Sequence, residues 1–119
     1  MKKKILIVDD DLVFGEQLGE MLEAEGYKVS LALDGFQALT SSGNGCYDVC
    51  LLDLKLEVTD GADLLKTLKG RMPGCKVVVV SGRPGAEGIL EGKGVSHLAE
   101  FVVAKPFSPR PLLERLKRL

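Results

Sequence analysis

The sequence is poor in the features that mark several large classes of protein. It has no tryptophan, one histidine and three cysteines in 119 residues, and the spacing of Cys46, Cys50 and Cys75 matches no zinc-binding pattern. No apolar run comes near the ~20 residues that span a bilayer, and the first residues do not resemble a signal peptide. We therefore expect a cytoplasmic protein that makes no membrane contact and keeps its cysteines reduced.

An excess of charge of one sign is also missing. The chain has 16 basic and 17 acidic side chains, which give a formal net charge of -1. This balance gives no reason to expect direct binding to nucleic acid. Hydrophobic residues make up 45% of the chain and charged residues 28%, as is typical of a soluble globular domain.

Apolar runs alternate with helical patterns along the chain. The patterns predict strands over residues 4–9, 28–33, 48–53, 77–80 and 101–104, and helices over 12–25, 36–42, 61–71 and 108–118. Five strands that alternate with helices indicate an α/β fold with one parallel sheet. Because the strands are continuously apolar, we expect helices on both faces of the sheet. In the helix at 36–42, Phe36 and Leu39 are expected to point inward.

The fourth helix is the weakest part of this pattern. The segment in which it should form contains Gly82, Gly85, Gly88, Gly92 and Gly94. Each glycine inside a helix costs about 1 kcal/mol relative to alanine. We therefore predict a short, frayed or displaced helix, with rapid amide exchange over residues 86–93.

Polar side chains follow the apolar strands at the points where the strands end. In chain order they are Asp9, Asp10, Asp11, Asp53, Ser81 and Lys105. Ligands of open parallel sheets bind beyond the carboxyl ends of the strands. In a sheet of strand order 2-1-3-4-5, the first and third strands are neighbours, so that Asp9 and Asp10 would lie beside Asp53.

Three carboxylates at such short range repel one another unless a cation lies between them. Mg²⁺ suits a site of carboxylates, waters and a phosphate oxygen, and Mn²⁺ is the alternative. Lys105 would add a fixed positive charge, and the Ser81 hydroxyl could donate to a phosphoryl oxygen. The set fits attack by one carboxylate on phosphorus. Asp11 is better suited to capping the helix that follows it.

With these motifs in place, the sequence resembles a receiver domain of bacterial two-component response regulators. The matching stretches occur in the family's order at residues 5–11, 47–61, 77–82 and 105–107. The resemblance implies one receiver domain over residues 1–119. It also implies a flavodoxin-like fold: a single doubly wound, five-stranded parallel sheet of order 2-1-3-4-5, with helices on both faces.

The resemblance also implies roles for individual residues. Asp53 would accept a phosphoryl group from a histidine kinase or a histidine phosphotransfer protein. Asp10 and Asp53 would bind Mg²⁺ directly and Asp9 through water, and the backbone carbonyl of Lys55 would complete the protein ligands. The domain would then act in signalling rather than as an enzyme, with self-phosphorylation from small donors and self-dephosphorylation as its only reactions.

The residues that would carry the signal depart from the family pattern. Ser81 and Lys105 match the two residues that contact the phosphoryl group, and the bond from Lys105 to Pro106 is commonly cis in the family. An aromatic switch residue is usual three positions before the lysine, where this chain has Val102. The aromatic Phe101 comes one position earlier, so that either the last strand is shifted or the aromatic switch is absent.

Two positions at the rim of the site are long and cationic. Lys55 and Arg83 follow Asp53 and Ser81 by two residues, at family positions that tune attack of water on the phosphoaspartate. We expect them to shield the phosphoryl group and prolong its lifetime. Glu57 replaces the proline that is usual four residues after the acceptor, which predicts a more mobile loop.

Two other functions remain open at this point. A metal-dependent phosphohydrolase could use Asp53 as its nucleophile, although enzymes of the haloacid dehalogenase type have an acid where Lys55 stands. A phosphorylation-independent interaction module is the other alternative. The face formed by helix 4, strand 5 and helix 5 is the usual output and dimer surface of the family, and this chain could form a homodimer through it.

Overall fold

Five strands and five helices alternate along the part of the chain that the computed structural model describes, residues 3–44, 46–55 and 60–119. The strands are β1 (Lys4–Val8), β2 (Lys28–Ala32), β3 (Val49–Asp53), β4 (Lys76–Ser81) and β5 (Ala99–Ala104). The helices are α1 (Leu12–Ala24), α2 (Gly35–Asn44), α3 (Gly61–Arg71), α4 (Ala86–Gly92) and α5 (Pro109–Lys117), with a 3₁₀ turn at Ser96–Leu98. No helix among these residues is long and apolar enough to cross a membrane.

The strands form one parallel sheet in the order β2-β1-β3-β4-β5, which confirms the predicted topology. Val8 pairs with Leu52 across β1 and β3, and Asp53 pairs with Val80 across β3 and β4. The residues that follow β1 and β4 therefore lie at the same edge of the sheet as the carboxyl end of β3.

Two apolar layers cover the two faces of the sheet, as predicted. Successive strand residues point to opposite faces, so β1 sends Ile5 and Ile7 toward one layer and Leu6 and Val8 toward the other. The first layer is completed by α1 and α5, through residues such as Leu18, Leu22, Leu112 and Leu116. The second layer is completed by α2, α3 and α4, through residues such as Ala38, Leu64, Leu65, Leu68 and Leu90.

The prediction for Phe36 was wrong, because this side chain is 80% exposed. Helix α2 instead turns Ala38 and Ser42 inward, and these two residues lie one turn apart on the same side of the helix. Phe36 precedes Ala38 by two positions, a rotation of about 200°, and therefore faces solvent. Leu39 is partly buried against the core, as expected.

Helix α4 is short, as the glycines predicted. It has seven residues, and the residue at its N-cap, Gly85, has a φ of 72° and provides no side-chain cap. Strand β5 begins at Ala99, two residues earlier than predicted, and its pairing with β4 shifts after Val77. Val77 pairs with Ala99 and Val78 with Phe101, so one extra residue of β5 is accommodated between these pairs.

Candidate functional site

Three carboxylates converge at the carboxyl ends of β1 and β3, as the sequence predicted. One carboxylate oxygen from each of Asp9, Asp10 and Asp53 lies within 4.8 Å of the others. Asp9 and Asp53 are only 2% and 7% exposed, whereas Asp10 is open to solvent. Buried acids on one side and solvent on the other suit a hard cation that keeps part of its water shell.

The two buried carboxylates are oriented in the same way by their own backbone. Asp9 Oδ1 accepts a hydrogen bond from the N–H of Asp11 at 2.9 Å, and Asp53 Oδ1 accepts one from the N–H of Lys55 at 3.1 Å. Aspartate commonly forms such a bond to the backbone two residues on. In both residues the second oxygen, Oδ2, faces the ammonium group of Lys105.

Lys105 is the cation that contacts both buried carboxylates. Its Nζ lies 2.7 Å from Asp9 Oδ2 and 3.6 Å from Asp53 Oδ2. The backbone N–H of Lys105 donates to the carbonyl oxygen of Ser81 at 2.9 Å, which ties the ends of β4 and β5 together. The next peptide bond, to Pro106, is cis, as the resemblance implied.

An aromatic pair lies beside the Lys105 ammonium. The Lys105 ammonium lies over the Phe14 ring at 4.3 Å from its centre. Phe107 packs edge-to-face against Phe14, with ring centres 5.8 Å apart. Sequence reasoning did not assign Phe14 to the site, although an aromatic residue in the first turn after three aspartates could have suggested it.

The electrostatics of the site work against an ionised Asp53. Burial raises the pKa of Asp53 above its usual range, and the neighbouring charges of Asp9 and Asp10 raise the pKa further. The N–H of Lys55 and the ammonium of Lys105 act in the opposite direction. A divalent cation near these carboxylates would favour the ionised form, which is the form that can act as a nucleophile.

The carboxylates open into a cleft of about 520 Å³, which is lined by Asp9, Asp10, Asp11, Asp53, Lys55, Gly82 and Lys105. Six of the seven lining residues are charged, so the cleft suits a charged ligand rather than an apolar one. Asp11 also caps α1, accepting from the Phe14 N–H at 3.0 Å, as predicted. Of the two rim cations predicted from the sequence, Lys55 lies in this cleft.

Ser81 and Arg83 lie at a second cavity. The Ser81 hydroxyl is buried, and its oxygen accepts from the N–H of Arg83 at 3.0 Å. Together with Val102 and Ala104, both residues line a cavity of about 190 Å³ between β5 and the start of α4. Position 102, where the resemblance would place an aromatic switch residue, thus lies at the same cavity as Ser81, and its side chain is aliphatic.

Phe101 packs on the other face of the sheet. It is partly buried in the layer formed with α1 and α5, and the guanidinium of Arg115 lies 3.6 Å from its ring centre. Val102 faces the opposite layer. The sequence left open whether the strand was shifted or the aromatic residue was missing beside the serine; the observed register places no aromatic residue there. Glu57 lies outside the described residues.

The parallel five-stranded sheet and the acidic cleft at the ends of its strands are typical of one family of proteins, and a comparison with protein-family models identifies that family. The chain belongs to the response regulator receiver domain family, whose family model matches residues 5–117. It is a receiver domain of the two-component response regulators.

Two curated relatives differ in how much of their own length this chain matches. The chain is 33% identical over 118 residues to sporulation initiation phosphotransferase F of Bacillus subtilis, covering 99% of this chain and 94% of that protein. It is 32% identical over 117 residues to the DNA-binding response regulator MtrA of Mycobacterium tuberculosis, covering 98% of this chain but 50% of that protein. The chain thus spans about half the length of the first curated relatives it matches.

Solved structures share the fold across the whole chain. A CheY-like receiver domain protein from Methanospirillum hungatei is similar with a TM-score of 0.90 and 33% identity, covering 99% of this chain and 93% of that one. The response regulator TrrA of Thermotoga maritima, solved with Mg²⁺ and beryllofluoride, has a TM-score of 0.86 and 28% identity, covering 98% and 97%. A Burkholderia pseudomallei response regulator with a phosphorylated aspartic acid and a calcium ion has a TM-score of 0.85 and 27% identity, covering 94% and 65%.

Proposed function

We propose that Asp53 is the phospho-acceptor of this receiver domain and receives its phosphoryl group from a histidine kinase or a histidine phosphotransfer protein. One observation carries the proposal: a single ammonium group, that of Lys105, lies within 4 Å of both buried carboxylates, Asp9 and Asp53. A buried acid with a cation and a second acid beside it provides both a nucleophile and a place for the negative charge of a phosphoryl group.

The chemical step involves one bond formed and one broken. Asp53 Oδ2 attacks phosphorus, the new P–O bond forms, and the donor's bond to phosphorus breaks with its electron pair kept by the leaving group. The Lys105 ammonium, which faces Asp53 Oδ2 in the unphosphorylated protein, would then face the phosphoryl oxygens without moving. Such preplaced charge lowers the cost of the transition state, because no reorganisation is needed at the moment of reaction.

The donor set fits Mg²⁺, with Mn²⁺ as a substitute. Asp10 and Asp53 would bind the ion directly, Asp9 through water, and the backbone carbonyl of Lys55 would be a further ligand. Oxygen ligands and an open side toward solvent are what Mg²⁺ requires. When bound, the ion would supply charge neutralisation for the crowded carboxylates and the incoming phosphoryl group.

The rim cations would set the lifetime of the phosphorylated state. Lys55 lies at the mouth of the carboxylate cleft, where its side chain can hinder an attacking water and attract the phosphoryl oxygens. Arg83 would act from the adjoining cavity. Faster loss of the phosphoryl group in Lys55→Ala and Arg83→Ala than in the wild-type protein would support this role, and an unchanged rate in both would reject it.

Signal output would use the face formed by α4, β5 and α5, including a homodimer through this face. Ser81 would respond to the phosphoryl group, and Val102 would transmit the movement in place of an aromatic side chain. Measuring the self-association of the phosphorylated protein by analytical ultracentrifugation tests the dimer. A monomer at all concentrations would count against it.

Incubation with acetyl phosphate and Mg²⁺, followed by intact mass measurement, tests the proposed function. We expect one phosphoryl group per chain in the wild-type protein and none in Asp53→Asn. Steady release of phosphate without an adduct would instead support a phosphohydrolase. Absence of any reaction would support a phosphorylation-independent module.

A further inference from the structure

The Phe14 ring contacts the ammonium group on which the proposed chemistry depends. Lys105 Nζ lies 4.3 Å from the ring centre, inside the ~6 Å at which an aromatic face attracts a cation. The same Nζ lies 2.7 Å from Asp9 Oδ2. The ammonium is therefore held by an aromatic face as well as by a carboxylate.

The ring is itself well fixed. Phe14 lies in the first turn of α1, where its N–H donates to the capping side chain of Asp11 at 3.0 Å. Phe107 packs against it with an interplanar angle of 87°, an edge-to-face arrangement that aromatic pairs favour. Because Phe107 follows Lys105 by two residues, one short segment provides both the ammonium group and the ring that packs against Phe14.

We propose that Phe14 is a positioning residue for phosphoryl transfer, whose ring face keeps the Lys105 ammonium at the carboxylate cleft. The inference rests on the proposed function of Asp53. A lysine side chain loses much rotational freedom when it is held in one place, and the Lys105 side chain is still 23% exposed. The attraction of the ring offsets part of this loss.

A neutral aromatic face suits this place better than a further acid would. A carboxylate at position 14 would also attract Lys105, but it would add a fourth negative charge beside Asp9, Asp10 and Asp53. That charge would repel the incoming phosphoryl group. The ring attracts the ammonium through its quadrupole and brings no net charge.

Substitution of Phe14 tests the contact. In Phe14→Leu the apolar volume is largely kept and the π face is lost, so the initial rate of adduct formation from acetyl phosphate should fall about two- to five-fold. Phe14→Tyr keeps the ring and should retain the wild-type rate. Val13→Ala, at a neighbouring side chain that is 65% exposed, is the matched control and should also react at the wild-type rate.

A series of fluorinated phenylalanines at position 14 separates attraction from packing. Each added fluorine weakens the negative potential of the ring face while shape and hydrophobicity change little, so the rate should decline step by step along the series. The same residues placed at position 36, where the side chain is 80% exposed, should leave the rate unchanged. Equal rates across the position-14 series would overturn the proposal.

The ring contact can also be measured without any phosphoryl donor. The Hε protons of Lys105 should show an upfield ring-current shift by NMR in the wild-type protein, and the shift should disappear in Phe14→Leu. Absence of the shift in the wild-type protein would overturn the proposal for Phe14. A wild-type protein that shows the shift but forms no adduct would overturn the proposed function of Asp53, and with it the role of Phe14.

Discussion

Strands β3 and β5 differ sharply in how they are held, although both end at the same site. Every residue of β3 is buried, whereas β5 has no fully buried residue. The carboxylate at the end of β3 is fixed by a backbone hydrogen bond. The segment that leads into β5 contains α4, which has seven residues and no side-chain cap at its N-terminus.

In the proposed function, the chemistry belongs to the first of these regions and the transmission of the signal to the second. The acids lie at the end of β3 and directly after β1, and both strands have neighbours on both edges and helices on both faces. Elements with few buried contacts open and shift at low cost in free energy. We therefore expect α4 and β5 to rearrange more readily than β3 does.

The largest effect is expected from Lys105, the residue that joins the two regions. Lys105→Met removes the positive charge from the cleft, and the rate of adduct formation should fall about a hundredfold, as when one preplaced electrostatic group is lost from an active site. Lys76→Met, at an exposed ion pair with Glu100, is the matched control and should react at the wild-type rate. If the rate of Lys105→Met stays within about threefold of the wild-type rate, the decrease is much smaller than expected for such a group. Lys105 would then have no substantial role in phosphoryl transfer.

Alanine substitutions at two glycines, one in α3 and one in α4, should change the free energy of unfolding in opposite directions. Gly61 begins α3 and lies against Leu54, the residue after Asp53, so that a Cβ at position 61 would overlap the backbone carbonyl of Leu54. Because backbone cannot move aside as a side chain can, Gly61→Ala should lower the free energy of unfolding by about 2 kcal/mol. Urea denaturation measures this change, and an unchanged midpoint would show that the close approach is absent.

The matching substitution in α4 should stabilise the protein. Gly88 lies inside this helix, its φ is not positive, and a Cβ there would meet no atom within 4 Å. Gly88→Ala should therefore raise the free energy of unfolding by about 0.5–1 kcal/mol, the usual gain for alanine over glycine in a helix. Loss of stability in the same urea experiment would mean that Gly88 is needed for packing.

Amide exchange should differ between the same regions. Residues 86–93 should exchange rapidly, and those of β3 should exchange only through global unfolding. Exchange over α4 should become slower in Gly88→Ala. Strong protection of 86–93 in the wild-type protein would show that α4 is as stable as the rest of the fold.

The smallest effect is expected at the ion pair between Lys93 and Asp60, whose atoms Nζ and Oδ2 lie 2.6 Å apart. The hydrogen bond from Lys93 holds the pKa of Asp60 below its usual range. A carboxyl group with a lowered pKa in the folded state stabilises the protein at pH values above its ordinary pKa. This stabilisation is lost as the pH falls through the lowered pKa. Both side chains are nearly half exposed, so the contribution should be small.

Thermal unfolding of the wild-type protein and of Lys93→Met, compared from neutral to acidic pH, measures the contribution of this ion pair to stability. The stability difference between the two proteins should be present at neutral pH and vanish at the most acidic values. A difference that stays constant over the whole range would assign the effect to packing of the lysine stem.

The parallel sheet and the carboxylate cluster could be predicted from the sequence, because Asp9 and Asp53 each end an apolar run and parallel strands bring such ends together. The order of the strands was implied by the resemblance to receiver domains. The orientation of Phe36 could not, since a short helix with few apolar residues leaves its rotation to tertiary packing. The register in which β5 pairs with β4 could not be predicted from the sequence either. One extra residue decides whether Phe101 or Val102 faces Ser81, and only contact with β4 fixes that choice.

Locating the phosphoryl group tests the central claim most directly. After reaction with acetyl phosphate and Mg²⁺, borohydride reduction converts a phosphoaspartate to homoserine, and peptide mass spectrometry identifies the altered residue. We expect stoichiometric conversion at Asp53 alone. Conversion at Asp9 or Asp10, or an unmodified Asp53 in a protein that has gained a phosphoryl group, would contradict it.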